Sequence, residues 1–296
     1  GTPWLLWTGR GLEGLWLTAA FLVPLMFLGQ DYAISEAQIA YVEVPKVALL
    51  RTLAGMVAVV WSLEWAIRSR AFDGPLPSIS LASITGKLRP SAALQVLKNW
   101  LEEHSTRWLA FAASFFFGIT FLSTILSGSL QNSIWGEIPG QDGYSAYTVT
   151  SYGLIFAAIA THLKDRAQLA RLLGAVVLMG VLTGMYGAFQ HFGHDFLGTL
   201  EPTGGGFSRI TIFMGNTIFA GAVLSMTIPA TVIASALNFH KENWGDWGPL
   251  ARLGQLGRDS VFTFLWALIL ASQLLGLMFT FSRGPWSGTA LALALF

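Results

Sequence analysis

The sequence predicts an all-α, polytopic bundle of transmembrane helices, with seven full spans and part of an eighth. Three observations carry this. Of 296 residues, 53% are apolar and only 11% are charged, whereas an ordinary soluble domain carries roughly 25% charge. The apolar residues fall into seven stretches that meet or approach the roughly 20 helical residues needed to cross a hydrocarbon core. Tryptophan and tyrosine (Trp4, Trp7, Trp61, Trp65, Trp108, Trp135, Tyr144, Tyr147) gather at the ends of those stretches, as an interfacial aromatic belt does. With a mean hydropathy of +0.57 and a formal charge of +1, a soluble enzyme, a nucleic-acid binder and a disordered tail are excluded. There are no cysteines, which removes disulfides, thiolate metal sites and cysteine nucleophiles together.

The spans read in order as 12–29, 47–67, 108–126, 146–163, 172–190, 217–237 and 261–281. An eighth begins near Pro285. At about 1.5 Å per residue, Pro285 to Phe296 covers roughly 18 Å and does not cross. Residues 1–296 therefore read as one transmembrane domain, the N-terminal part of a longer protein. Orientation comes from the basic residues of the connections. Arg10, the stretch from Arg68 to Arg107, Lys164 to Arg171 and Lys241 to Arg258 hold 13 of the 17 lysines and arginines. That side, with the N-terminus, is read as cytoplasmic. The connection 71–107 starts rich in Pro, Gly and Ser. It then spaces Leu94, Leu97 and Leu101 at i, i+3 and i+7, an amphipathic helix suited to the inner membrane surface. Gly180 and Gly184, extended by Gly187, offer a small-residue face for tight helix packing.

Four basic residues fall on the other side: Lys46, Arg51, Arg209 and Arg283. Lys46 and Arg51 flank the start of the second span and read first as snorkelling anchors, with Lys46 a possible contributor to an anion site. Arg209 and Arg283 have no acidic neighbour in sequence. A cation at membrane depth is costly and faces the bundle interior or a wet cavity. Two guanidiniums at one depth suit an anion, and their planar fork suits phosphate oxygens best. Gly284 and Pro285 start a new helix directly after Arg283, and its free N–H groups would add to the site. The competing reading pairs both arginines with Glu137, Asp142, Asp195 or Glu201. His191, His194 and Asp195 read as a solvated cluster at a helix end rather than a metal site. His104, His162 and His240 read as interfacial, and Glu64 as a helix-face partner of Arg68.

Four segments together resemble the O-antigen ligase and O-antigen polymerase superfamily of bacterial membrane glycosyltransferases. Ser133-Ile-Trp-Gly136 followed by Gly143 resembles its "S-x-W-G…G" loop. Gly187 to Asp195 resembles "Y-G-x-x-Q-x-x-G-x-D", and Arg209 with Phe213-Met-Gly-Asn216 and Ala220 resembles "R-x-x-G-T-F-G-N-P-N-x-x-A". Thr280-Phe-Ser-Arg-Gly-Pro-Trp-Ser-Gly288 resembles "T-x-S-R-G-A-W-x-G". The family's Asn-Pro-Asn reads Asn216-Thr217-Ile218 here, and the second outer loop lacks the arginine often found there.

The resemblance implies a glycosyltransferase C-like fold in the bacterial cytoplasmic membrane. It implies transfer of a glycan from a polyprenyl diphosphate, typically undecaprenyl, to a glycan or lipid acceptor on the outer face. No metal or cofactor is implied. Arg209 and Arg283 match the arginines that hold the diphosphate, with Asn216, Ser282 and Gly284 in support. The family's catalytic histidine lies in a later outer loop, placed beyond Phe296. Two other classes remain: a non-catalytic subunit of a larger membrane complex, and a transporter of lipid-linked oligosaccharides. The transporter predicts mid-membrane charge, of which the sequence has little.

Overall fold

A computed structural model of the protein describes residues 3–28, 38–71, 98–99, 101–102, 107–137, 143–198, 209–239 and 249–295. All regular structure among them is helical. The elements are α1 (Pro3–Leu25), α2 (Gln38–Ala71), α3 (Arg107–Ile125), α4 (Leu130–Trp135), α5 (Ala146–His162) and α6 (Arg166–His191). A 3₁₀ turn (Ile212–Met214) then precedes α7 (Thr217–Phe239), α8 (Pro249–Phe279) and α9 (Arg283–Ala294). Five segments are long and apolar enough to cross a membrane: Val42–Ser69, Arg107–Ile125, Arg166–His191, Thr217–Leu237 and Ser260–Phe279. The protein is a multi-pass helical membrane protein by that criterion. Most of the 71–107 connection lies outside the described residues. Within it Leu101 is buried and Lys98 sits 3.8 Å from Glu102 one turn on.

Lipid tails are as apolar as leucine, so close van der Waals contact and buried hydrogen bonds hold such helices together. The α6 glycines show how. A Cβ added to Gly184 would lie 2.5 Å from the Ser272 carbonyl oxygen of α8, and one on Gly276 would lie 2.9 Å from the Gly184 Cα. One turn away, a Cβ on Gly180 would meet Thr227 of α7 at 2.7 Å. Backbones that close admit no side chain between them. Gln273 of α8, fully buried, joins the three helices by accepting from Thr231 Oγ1 (2.9 Å) and donating to the Val177 carbonyl (3.4 Å). A second cluster, Leu12, Val57 and Ala158, joins α1, α2 and α5.

The second helix begins at Gln38, well before the apolar run at 47. Lys46 and Arg51 therefore lie inside α2 instead of flanking it. Pro45 is accommodated in the helix, as prolines in membrane helices are when neighbours satisfy the freed backbone groups. Lys46 Nζ donates to the carbonyls of Pro24 (2.7 Å) and Met26 (2.6 Å), covering the C-terminal end of α1. Arg51 donates to Thr148 Oγ1 and Ser145 Oγ at the start of α5, and its guanidinium lies 4.5 Å over the Tyr147 ring. Neither side chain snorkels away from the protein; each is a tie between helices.

Candidate functional site

At one end of the bundle α6 and α8 finish and α7 and α9 begin. Three chain segments cross there. The first is the end of α6, where Tyr186 and Gln190 lie one turn apart on one face. Gln190 is fully buried. Its Oε1 accepts the Ile212 N–H at 2.8 Å, while its Nε2 and the Tyr186 hydroxyl both reach Asp195 Oδ1. His191 belongs to the same end and is buried, not solvated. It stacks parallel on Phe279, with ring centroids 3.8 Å apart. The helix runs one residue beyond Gln190, which turns the imidazole inward against α8.

The second segment carries Arg209. Ile210 N–H donates to the Phe279 carbonyl at 3.3 Å, fixing this stretch across the end of α8. Ile210, Ile212 and Phe213 then enter the core formed by Tyr186, Leu224 and Leu277. Ile212 pays for its place with φ of +51°, a left-handed conformation that a β-branched residue rarely adopts. Gly215, at φ +66°, ends the turn, and Asn216 Oδ1 accepts the Ile218 N–H at 2.8 Å as the N-cap of α7.

The third segment is the α8–α9 junction. Phe281 there also has a left-handed φ, +49°. Trp286 Nε1 donates back to the Leu277 carbonyl at 2.8 Å, satisfying an end of α8. Pro285 packs so tightly on Gly221 that a Cβ there would lie 2.8 Å away. Ser282 is buried but makes no side-chain cap to α9. The first N–H groups of a helix have no intrahelical partner. Gly284 is exposed, with no heavy atom within 4 Å of a Cβ built on it, so nothing crowds the start of α9.

These crossings bring together Arg209, Ser282, Arg283 and Gly284. Arg209 Nε donates to the Thr280 carbonyl (3.2 Å), and Nη2 donates to the Phe281 carbonyl (3.3 Å) and to Ser282 Oγ (3.4 Å). A guanidinium has five N–H donors in a fixed fork. The neutral oxygens use Nε and Nη2, and among the described residues Nη1 has no partner. Arg283 is exposed at the first turn of α9. Among the described residues neither arginine forms an ion pair, and no group of histidines and carboxylates is arranged to hold a metal. Of the four candidate carboxylates, Asp195 is engaged by Tyr186 and Gln190, while Asp142 and Glu201 lie outside the described residues. Lys46 is turned to the end of α1, and Asn216 caps α7 without a bond to either arginine.

Gln190, Asp195, Thr280 and Trp286 fall on positions of the motifs that carry the resemblance, although the groups they bond were not legible there. The two strained residues, Ile212 and Phe281, carry no such signal. Comparisons with protein families, curated proteins and solved structures give no match to this chain.

Proposed function

We propose that this protein is an O-antigen ligase-like glycosyltransferase of the bacterial cytoplasmic membrane. In this reading α1 and α5 also cross, giving seven spans with a further partial one at α9, in a glycosyltransferase C-like arrangement. The arginine end faces outward and takes a glycan from a polyprenyl diphosphate to an acceptor hydroxyl. The observation that carries the reading is the arginine pair at the uncapped start of α9. One guanidinium is anchored through neutral oxygens, and the other belongs to the exposed first residue of the adjoining helix. Two cations and the free N–H groups of a helix start suit a diphosphate.

The chemistry follows from charge. As an acceptor hydroxyl attacks the anomeric carbon, its proton passes to a base (a histidine, if the resemblance holds), the bond to the diphosphate breaks, and negative charge grows on the leaving oxygen. Arg209 and Arg283 stabilise that charge, and donors fixed beforehand cost no reorganisation at that moment. Arg209 is fixed by Thr280, Phe281 and Ser282. Its position in turn depends on the Ile210–Phe279 backbone bond.

The test is transfer by the full-length protein reconstituted with a polyprenyl-diphosphate glycan. Arg283→Ala and Arg209→Ala should each lower turnover by about 10²- to 10³-fold, the usual loss for one donor to developing negative charge. Full activity in both variants sinks the diphosphate role. A protein that transfers nothing in any form, yet copurifies stably with other membrane proteins, is the complex subunit instead.

A further inference from the structure

The ends of α3 and α4 and the start of α5 border an open cleft of about 1010 Å³ on the arginine end of the bundle. Its lining differs from the surface around it. Thr124 is the one buried residue of α3, and Phe115, Phe116 and Phe121 stand exposed along the helix as lipid-facing side chains do. Yet Thr120, Ser123 and Thr124 recur at helical spacing on one face and line the cleft. A polar group without a partner in hydrocarbon costs several kcal/mol. Thr120 and Thr124 return their own protons to the carbonyls of Phe116 (2.9 Å) and Thr120 (2.8 Å), leaving oxygen lone pairs toward the cleft. Ser123 is exposed and forms no hydrogen bond among the described residues.

The facing wall supplies the complementary groups. The Asn132 amide and the Glu137 carboxylate are exposed and unpaired among the described residues, and the Tyr144 ring is 85% exposed at the rim. Among the described residues no lysine, arginine or histidine lines the cleft, and the nearby Arg51 is engaged by the Ser145 hydroxyl at 2.9 Å and by Thr148. Glu137 is thus the charge on the described lining, which disfavours a phosphate there. A carboxylate and hydroxyl oxygens accept hydroxyl protons, an amide donates to ring or hydroxyl oxygens, and an exposed aromatic face covers C–H groups. That set fits a neutral sugar. The volume is at the upper end of the roughly 300–1,000 Å³ of small-molecule sites, enough for more than one ring.

We propose that this cleft binds a neutral carbohydrate. The inference stands on the cleft's own residues and does not need the diphosphate reading. The absence of cysteine makes the test direct. Ser123→Cys protein in phosphatidylcholine nanodiscs is labelled with a charged, membrane-impermeant maleimide. The probes are maltotetraose and chitotetraose, with sulfated maltotetraose as the anionic control. At a concentration about four times Kd, one neutral tetrasaccharide slows labelling about fivefold by occupancy, and the sulfated sugar leaves it unchanged. Glu137→Gln removes the protection but not the basal labelling rate, and Arg283→Ala keeps the protection, so the two sites fail separately. Asn132→Cys gives the same readout where Ser123→Cys folds poorly. Labelling indifferent to every sugar overturns the proposal, as does equal protection by the sulfated one. A thiol reactive in detergent but silent in the nanodisc also overturns it, because lipid or a neighbouring helix then fills the cleft.

Discussion

The two ends of the bundle treat their charges in opposite ways. At the end opposite the arginine site, two largely covered carboxylates among the described residues meet cations. Glu64, 3% exposed, accepts from Arg68 (2.5 and 2.9 Å) and contacts His162 Nε2 at 2.8 Å, and Glu13 accepts from Arg171 at 2.5 Å. At the arginine end Lys46 and Arg209 rest on carbonyl and hydroxyl oxygens, and Arg283 stands in the open. A neutral oxygen positions a cation without cancelling its charge; a carboxylate does both. One end is therefore an electrostatically closed joint between helices, and the other keeps positive charge available to a ligand.

The sharpest way to break this contrast is to separate charge from fork geometry at the open end. Arg283→Lys keeps the charge but loses the planar fork, so transfer should fall close to the alanine level. Thermal unfolding should not move with it, because Arg283 forms no hydrogen bond among the described residues. Arg209→Lys loses activity and some stability too, since its Nε and Nη2 bonds tie two chain segments together. An active, stable Arg283→Lys variant would mean that charge alone suffices there.

At the closed end the expected loss is in folding. Glu64→Ala leaves the half-exposed Arg68 free to turn to water, but strands His162 at 13% side-chain exposure. Losing the hydrogen bond from His162 to a buried carboxylate costs about 2 kcal/mol, read as a lower unfolding midpoint in detergent. Activity per folded molecule should stay unchanged. A loss of turnover without a loss of stability would give this end a functional role that its closed electrostatics argues against.

Packing in between is also costly to disturb. Gly184→Ala forces a methyl against the Ser272 carbonyl oxygen, and overpacking of this kind costs about 2 kcal/mol. Gly174→Ala on the same helix, where a Cβ meets nothing within 4 Å, is the control and should gain up to about 1 kcal/mol from helix propensity. Equal effects at the two positions would show that α6 and α8 do not approach as closely as drawn.

How much of this was legible in the sequence depends on range. Five of the seven apolar runs, the glycine face of α6 and the pairing of Glu64 with Arg68 are local patterns that stand in the structure. Their partners are not local. His162 reaches Glu64 across 98 residues, and Phe279 covers His191 from a different helix. Both histidines consequently read as solvated or interfacial. Pro45 looked like the edge of a loop, because its tolerance inside α2 depends on neighbouring groups that the sequence does not order in space. At the candidate site, Arg209 and Arg283 were visible as misplaced charge, and the structure adds what holds Arg209 in place. The strained φ at Ile212 and Phe281 has no signature in residue type, since neither isoleucine nor phenylalanine favours that region.

That strain gives the smallest and most specific effect. Phe281 is 50% exposed, so truncating it removes little packing and leaves its φ of +49° as the main variable. Alanine retains the Cβ that clashes in the left-handed region, at about 1 kcal/mol, while glycine has none. Phe281→Gly should therefore be more stable than Phe281→Ala by about 1 kcal/mol. At Ser287, exposed inside α9, the order reverses, because glycine in a helix interior is about 1 kcal/mol worse than alanine. The pair of comparisons cancels what either substitution does to the unfolded chain, leaving only backbone conformation. If glycine loses to alanine at both positions, the turn between α8 and α9 is unstrained. In that case Arg209 is held by its hydrogen bonds alone, not by a backbone that the rest of the fold forces into place.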